Sequence, residues 1–216
     1  QVFFLLLLVH LALVIWENSV PFARFAWLRL SAVVPVSLLF LFTGYILRND
    51  AAGEAAGAIA ENIVLSVPLL GRPLNKLFFD VSTAGVQKVY LHHLAGLLLL
   101  GGFCLQPHLK CYNALWRNHV LLVLLLLGAA AVLSTPLEPE RFGLLRIGGP
   151  WFFLGLQELL RFLPAFWAGI AAPAILTSLL FFLPAAGWKR QAGLILLAVG
   201  LAGYAALTLQ GLTGAL

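Results

Sequence analysis

Six stretches of this chain are apolar over lengths at or near those needed to cross a membrane: residues 1–16, 26–47, 89–109, 119–133, 165–186 and 191–209. As a helix, about 20 such residues span a hydrocarbon core of about 30 Å. Within lipid every backbone amide must find its partner inside the structure, which leaves helices or closed barrels. The stretches show no period-two alternation and no turn-punctuated strands, so the barrel pattern is missing. With 62% hydrophobic and 10% charged residues and a mean hydropathy of +1.01, the chain has too much apolar surface for a water-soluble fold to hide. The reading is an all-α transmembrane helical bundle of about six membrane helices, with short amphipathic surface helices in two long loops.

Those loops are 48–88 and 134–149. In the first, Ala51–Asn62 has helical spacing, Ser66-Val67-Pro68 breaks it, and Leu74–Asp80 forms a second short helix. The second is rich in Pro and charge and leads into Trp151–Leu163. The chain begins at Gln1 inside an apolar run and contains no Met, which reads as a helix entered partway. No signal-peptide pattern precedes that run. Cys104 and Cys111 form no CxxC or CxxCH, so they signal neither zinc nor covalent heme attachment. The net charge of +5 is spread among loops, an arrangement for interface anchoring and not for nucleic acid.

His93 and His108 stand fifteen residues apart in one apolar stretch. An uninterrupted helix of that length rises about 22 Å and brings the two side chains within about 60° of each other. One histidine then lies near each membrane face. Ionisable groups inside a membrane helix are costly and mark functional positions, and neutral imidazole is a common ligand of heme iron. The spacing therefore predicts a helix that ligates two stacked hemes. His10, in Phe3–Leu13, reads on its own equally well as a satisfied core histidine.

Several segments together resemble the cytochrome b of quinol–cytochrome c reductases and of the related b/f-type complexes. Thr43-Gly44-Tyr45-Ile46-Leu47-Arg48-Asn49-Asp50 is similar to the TGYxLxWD ending of that family's third helix, and Asn62–Gly71 to the surface-helix segment that follows. Lys88 falls where the family carries a basic residue before its first fourth-helix ligand. Pro150-Trp151-Phe152-Phe153-Leu154 and Leu159–Pro164 resemble PEWYFL…LR-x-x-P. The order and distances agree over about 1–212, with 1–113 similar to the family's heme-binding N-terminal part and 114–216 to its subunit IV-like C-terminal part.

The resemblance implies two non-covalent, bis-histidine b hemes. His10 and His108 would hold the high-potential one, and His93 the low-potential one, with its partner histidine lying before Gln1. His92 is the fallback ligand. Gly44, Arg117, Asn118 and Trp151 fall among the cofactor-contacting positions. The fifteen-residue spacing matches the b/f-type variant; the mitochondrial type has one residue fewer. The family's Gly near the high-potential heme is Leu30 here, with Ser31 as the nearby small residue.

Two quinone pockets are implied as well. One would form from Thr43–Asp50, Ala60–Gly71 and Gly149–Leu154. There the Glu and Tyr of PEWY are replaced by Pro150 and Phe152, and the Trp of the earlier motif by Asn49. Proton abstraction needs a titratable group within reach, so Glu158, Glu54, Glu61 or a partner subunit would have to supply it. The other pocket would involve Asn113, Arg117 and Asn118, with His119 as proton donor. Under the family topology Arg24, Arg29, Lys110, Arg117, Lys189 and Arg190 fall on the cytoplasmic side and seven other cations opposite, which gives no positive-inside bias.

The expected protein is a diheme cytochrome b-like subunit of a quinol:cytochrome c oxidoreductase in a bacterial inner membrane or equivalent energy-transducing membrane. Its partners would be a Rieske-type iron–sulfur subunit, a c-type cytochrome, the preceding cytochrome b segment or other small membrane subunits, and a second copy in a homodimer. The Glu-to-Pro replacement favours an alternative: a non-bifurcating, quinone-interacting b-type cytochrome serving a multiheme cytochrome. A heme-poor scaffold or solute carrier is the third reading, with no inverted repeat behind it.

Overall fold

The computed structural model describes residues 2–17, 23–133, 148–183 and 187–213, and those residues form helices without strands. In chain order the helices are α1 (Val2–Trp16), α2 (Arg24–Ser31), α3 (Val33–Ile46), α4 (Ala51–Leu65), α5 (Gly71–Phe78), α6 (Val81–Ala84), α7 (Gln87–Leu98), α8 (Gln106–Cys111), α9 (Val120–Val132), α10 (Trp151–Phe162), α11 (Ala172–Phe181) and α12 (Trp188–Thr213). Together α2 and α3 make an apolar stretch of 23 residues, and α12 has 26; both are long enough to span a membrane. The apolar segments Phe3–Trp16, Arg117–Val132 and Trp167–Phe181 are shorter. The Pro-rich segment 134–147 lies outside the described residues.

The turn from α3 to α4 follows from its sequence. Asn49 adopts φ +52°, a left-handed conformation that Asn tolerates better than most residues. Asp50 then caps α4 by accepting the Gly53 amide at 2.9 Å and pairs with Arg48. The Trp expected at position 49 from the resemblance would sit badly in that backbone. The loop 48–88 contains the two helices expected, α4 and α5, the latter starting three residues early at Gly71, and a further one, α6, that the spacing did not predict; it buries Glu61 against Asn75 and the Ser82 amide.

The main core joins α3, α4 and α10. Phe42 stacks on Phe153 with centroids 4.6 Å apart, among Ile46, Ala56 and Val89. A second cluster ties the two halves of the chain together. Trp27, 4% exposed, packs with Leu180, Leu183 and Leu197, and its indole N–H donates to the Leu180 carbonyl at 2.8 Å. In lipid such an indole needs that partner.

The long histidine helix is not continuous. A π turn spans Leu99–Cys104, where the Leu105 amide bonds the Leu100 carbonyl five residues back at 2.9 Å. A π turn inserts one residue without advancing the helix face. Fifteen residues then behave as fourteen, and His108 falls about 40° short of four full turns from His93 instead of about 60° beyond them. A second π turn, Trp167–Ala171, precedes α11.

Candidate functional site

α7 carries His93 toward α3. Its ring stacks on Phe40 at 3.9 Å and 15°, and its Nδ1 lies 2.9 Å from Thr43 Oγ1. The Thr43 hydroxyl also reaches the Leu39 carbonyl at 2.9 Å, the usual back-bond of a helical Thr. Its single proton goes to that carbonyl, so its oxygen accepts from Nδ1–H of His93. The imidazole is thereby fixed with the Nε2 lone pair open, the form a metal requires. Gly44 explains the close approach: a Cβ there would stand 3.1 Å from His93 Cε1. His92 faces elsewhere. Its Nδ1 donates to the Lys88 carbonyl at 2.7 Å, and its ring lies 5.1 Å from Phe78 of α5.

Past the π turn, α8 presents His108 to α1. The rings of His10 and His108 lie 6.0 Å apart, centroid to centroid, with planes at 81°. The two imidazoles thus stand face to edge across α1 and α8, and such a pair is the donor set that would hold a heme iron. His10 is exposed on α1, and Tyr112 packs 4.7 Å from His108. Among the described residues no group of three His, Cys, Asp or Glu converges, so the pair has no company that would complete a tetrahedral zinc site.

On the side of His93 away from α8, Lys88 at the start of α7 donates to Asp80 at 2.6 Å and to the Lys76 carbonyl at 2.9 Å. That hydrogen bond from Lys88 is the main reason the Asp80 carboxyl is held below its usual range, with the Thr83 hydroxyl second. The contact fastens α7 to the loop 48–88.

A shallow cleft opens between α3, α4 and α10, lined by Tyr45, Ala56, Ile59, Pro150, Phe153 and Gln157. It takes in two of the three segments expected around a quinol pocket; α4 contributes Ala52–Ile59 and not Ala60–Gly71. Gln157 accepts the Gly149 amide at 2.8 Å. Among the described residues no carboxylate lines the cleft. Glu158, one residue further and about 100° around the helix, is buried at the α12 interface beside Gly211 and pairs with Arg161 at 2.8 Å. Glu61 lies at the far end of α4 in its own hydrogen-bonded cluster, and Glu54 is exposed. Trp151 opens α10, half-buried, with its ring edge-on to Phe152. Arg117, Asn118 and His119 are exposed on the 3₁₀ turn Trp116–His119 ahead of α9, and Asn113 sits exposed in a left-handed turn after α8.

The sequence pointed to the histidines, and the structure brings His10 and His108 together. It missed Thr43, Phe40 and Gln157. Thr43 carries a signal that was available: it precedes Gly44 and lies on the α3 face that must approach α7.

The family profile described as "Cytochrome b(N-terminal)/b6/petB" matches residues 1–137 of the chain. A protein named "Cytochrome b" from Bugula neritina is 23% identical over 219 aligned positions, covering 85% of the chain. The chain spans 59% of that relative's length. No solved structure matches it.

Proposed function

The chain belongs to the cytochrome b family, a family of heme-binding membrane proteins of electron transport, and from that premise we propose that it is the diheme subunit of a quinol-oxidising membrane complex. It would carry electrons across the membrane between two quinone sites. The reading rests on the His10–His108 pair, which α1 and α8 bring to 6.0 Å between ring centroids and which would hold the iron. Heme in these sites would supply reversible one-electron transfer, and the chain's own work is to hold, orient and tune it. Thr43 fixes the tautomer of His93, Gly44 gives its ring room, and Phe40 covers one ring face. The second ligand opposite His93 would come from a segment preceding Gln1 or from another membrane subunit. About six membrane helices complete the proposed architecture.

For the quinone sites, the cleft at Tyr45, Pro150 and Phe153 is the proposed oxidation pocket. His119 is the proposed proton donor of the other, beside Arg117 and Asn118. A Rieske-type iron–sulfur protein, a c-type cytochrome and a second copy of the chain are the proposed partners. One observation favours a second reading, the non-bifurcating b-type cytochrome coupled to a multiheme partner. Among the described residues the cleft presents an amide and a phenol, and the position where the resemblance expects the proton-accepting Glu is Pro150.

The test is a redox-titrated optical spectrum of the complex with heme counted per chain, repeated on His10→Leu and His108→Leu. Two b-type bands with separate midpoints, one of which vanishes in both variants, are expected. A wild-type complex without heme would overturn the reading.

A further inference from the structure

His108 follows a proline, and that proline removes a hydrogen bond. The π turn ends at Cys104, Leu105 bends the chain and α8 starts at Gln106, so the Phe103 carbonyl lies at a helix end; the residue four ahead of it is Pro107, which has no amide to offer. A carbonyl orphaned at membrane depth must find another donor. Arg29, at the end of α2, provides it. Its Nε donates to the Phe103 carbonyl at 2.9 Å, and a terminal guanidinium nitrogen donates to the same oxygen. That terminal nitrogen also reaches Gln106 Oε1 at 2.8 Å. The guanidinium lies over the Phe103 ring, 4.5 Å from its centroid. One side chain from a different helix thus grips both residues that bracket the passage from the π turn into α8.

We propose that Arg29 is a positioning residue for His108: its guanidinium replaces the backbone donor that Pro107 lacks and fixes the π-to-α transition that turns His108 toward His10. Arg29 touches neither histidine and acts through the helix. The geometry gives this cation in an apolar stretch its partners. Its five donors in a rigid fork suit a carbonyl and an amide oxygen together; Lys offers a single nitrogen. The proposal rests on the reading of His108 as a heme ligand, so the experiment must separate the two.

The measurement is low-spin heme EPR and the midpoint potential of each heme in the intact complex, for wild type, R29Q, P107A and R29Q/P107A. His108→Leu identifies which signals belong to the heme at His108. In R29Q the signal of that heme shifts or broadens and its midpoint falls, because a cation is lost and the imidazole is less well held; the other heme stays in place. In the double variant residue 107 regains an N–H for the Phe103 carbonyl, and the EPR signal returns toward that of P107A alone, a coupling that independent sites would not show. If R29Q leaves both signals and both midpoints unchanged in a complex with two hemes, the proposal is overturned and the heme reading survives. A change in the EPR signal of R29Q that P107A does not reverse also overturns it. A wild-type complex with no His108-dependent heme refutes the heme reading itself, and this proposal falls with it. If R29Q does not accumulate, R29K takes its place, with a smaller shift of the same sign expected.

Discussion

The Thr43 hydroxyl holds Nδ1 of His93 at 2.9 Å while its own proton goes to the Leu39 carbonyl. The ring is oriented by a residue fifty positions away in the chain, on the helix that also contributes Gly44. Replacing Thr43 by Val keeps the volume and removes the acceptor. Partners of this kind are worth about 10–100-fold in metal affinity. Thr43→Val is expected to loosen the heme at His93 by that factor while the His10/His108 heme is retained, read as heme occupancy against added chelating imidazole. Equal retention of both hemes would remove Thr43 from the site.

Glu158 faces α12 and pairs with Arg161, whose side chain is 59% exposed. Water can therefore solvate Arg161 once Glu158 is neutralised. Glu158→Gln is expected to leave the rate of quinol-driven heme reduction unchanged in a stopped-flow assay. A drop of about 10²-fold or more, the size of a general-base contribution, would restore Glu158 as the proton acceptor.

Gly155 lets α10 and α12 meet. A Cβ there would stand 2.8 Å from both Thr208 Oγ1 and the Tyr204 ring, whose hydroxyl donates to the Phe152 carbonyl at 2.7 Å. Gly203, on α12, has nothing within 4 Å of the same construction. Gly155→Ala should cost about 1–3 kcal/mol by overpacking, seen as a lower unfolding midpoint in detergent. Gly203→Ala should cost nothing.

Asp80 provides a pH signature. Its carboxyl titrates below the ordinary aspartate value because the folded state gives it the Lys88 ammonium, with Thr83 adding a second hydrogen bond. The folded protein therefore binds that proton less readily than the unfolded chain. The stabilisation is complete above the ordinary value of 3.8 and disappears as the pH falls through the lower, folded value. Asp80→Asn keeps a residue suited to φ +52° and removes the titration. The acid decline of the unfolding midpoint should begin less steeply in Asp80→Asn, with the two proteins converging at the acid end.

Much of the loop 48–88 was legible because its signals are local. The helical spacing from Ala51 predicts a helix, Ser66-Val67-Pro68 predicts its end, and both are found. The choice of His93 over His92 also followed from spacing. The π turn was not read from sequence: Gly101-Gly102 inside Leu99–Cys104 weakens an α-helix there, but a change from four-back to five-back bonding leaves no mark on hydropathy. Arg29 read as an interface anchor, because sequence does not say which carbonyl lies within its reach. Glu158 looked closer to the cleft than it is, since neighbours in sequence on a helix point about 100° apart.

The π turn at Leu99–Cys104 has a further implication for insertions and deletions. By absorbing a residue locally it keeps chain length from dictating which way His108 faces. Shortening the Leu-Gly-Gly run by one glycine would let the turn relax into ordinary α-helix and leave the same face toward α1. Two lineages could then differ by one residue in this helix and still hold the same pair of rings at the same gap. Counting residues between the histidines gives the history of the helix; the gap between His10 and His108 gives its constraint.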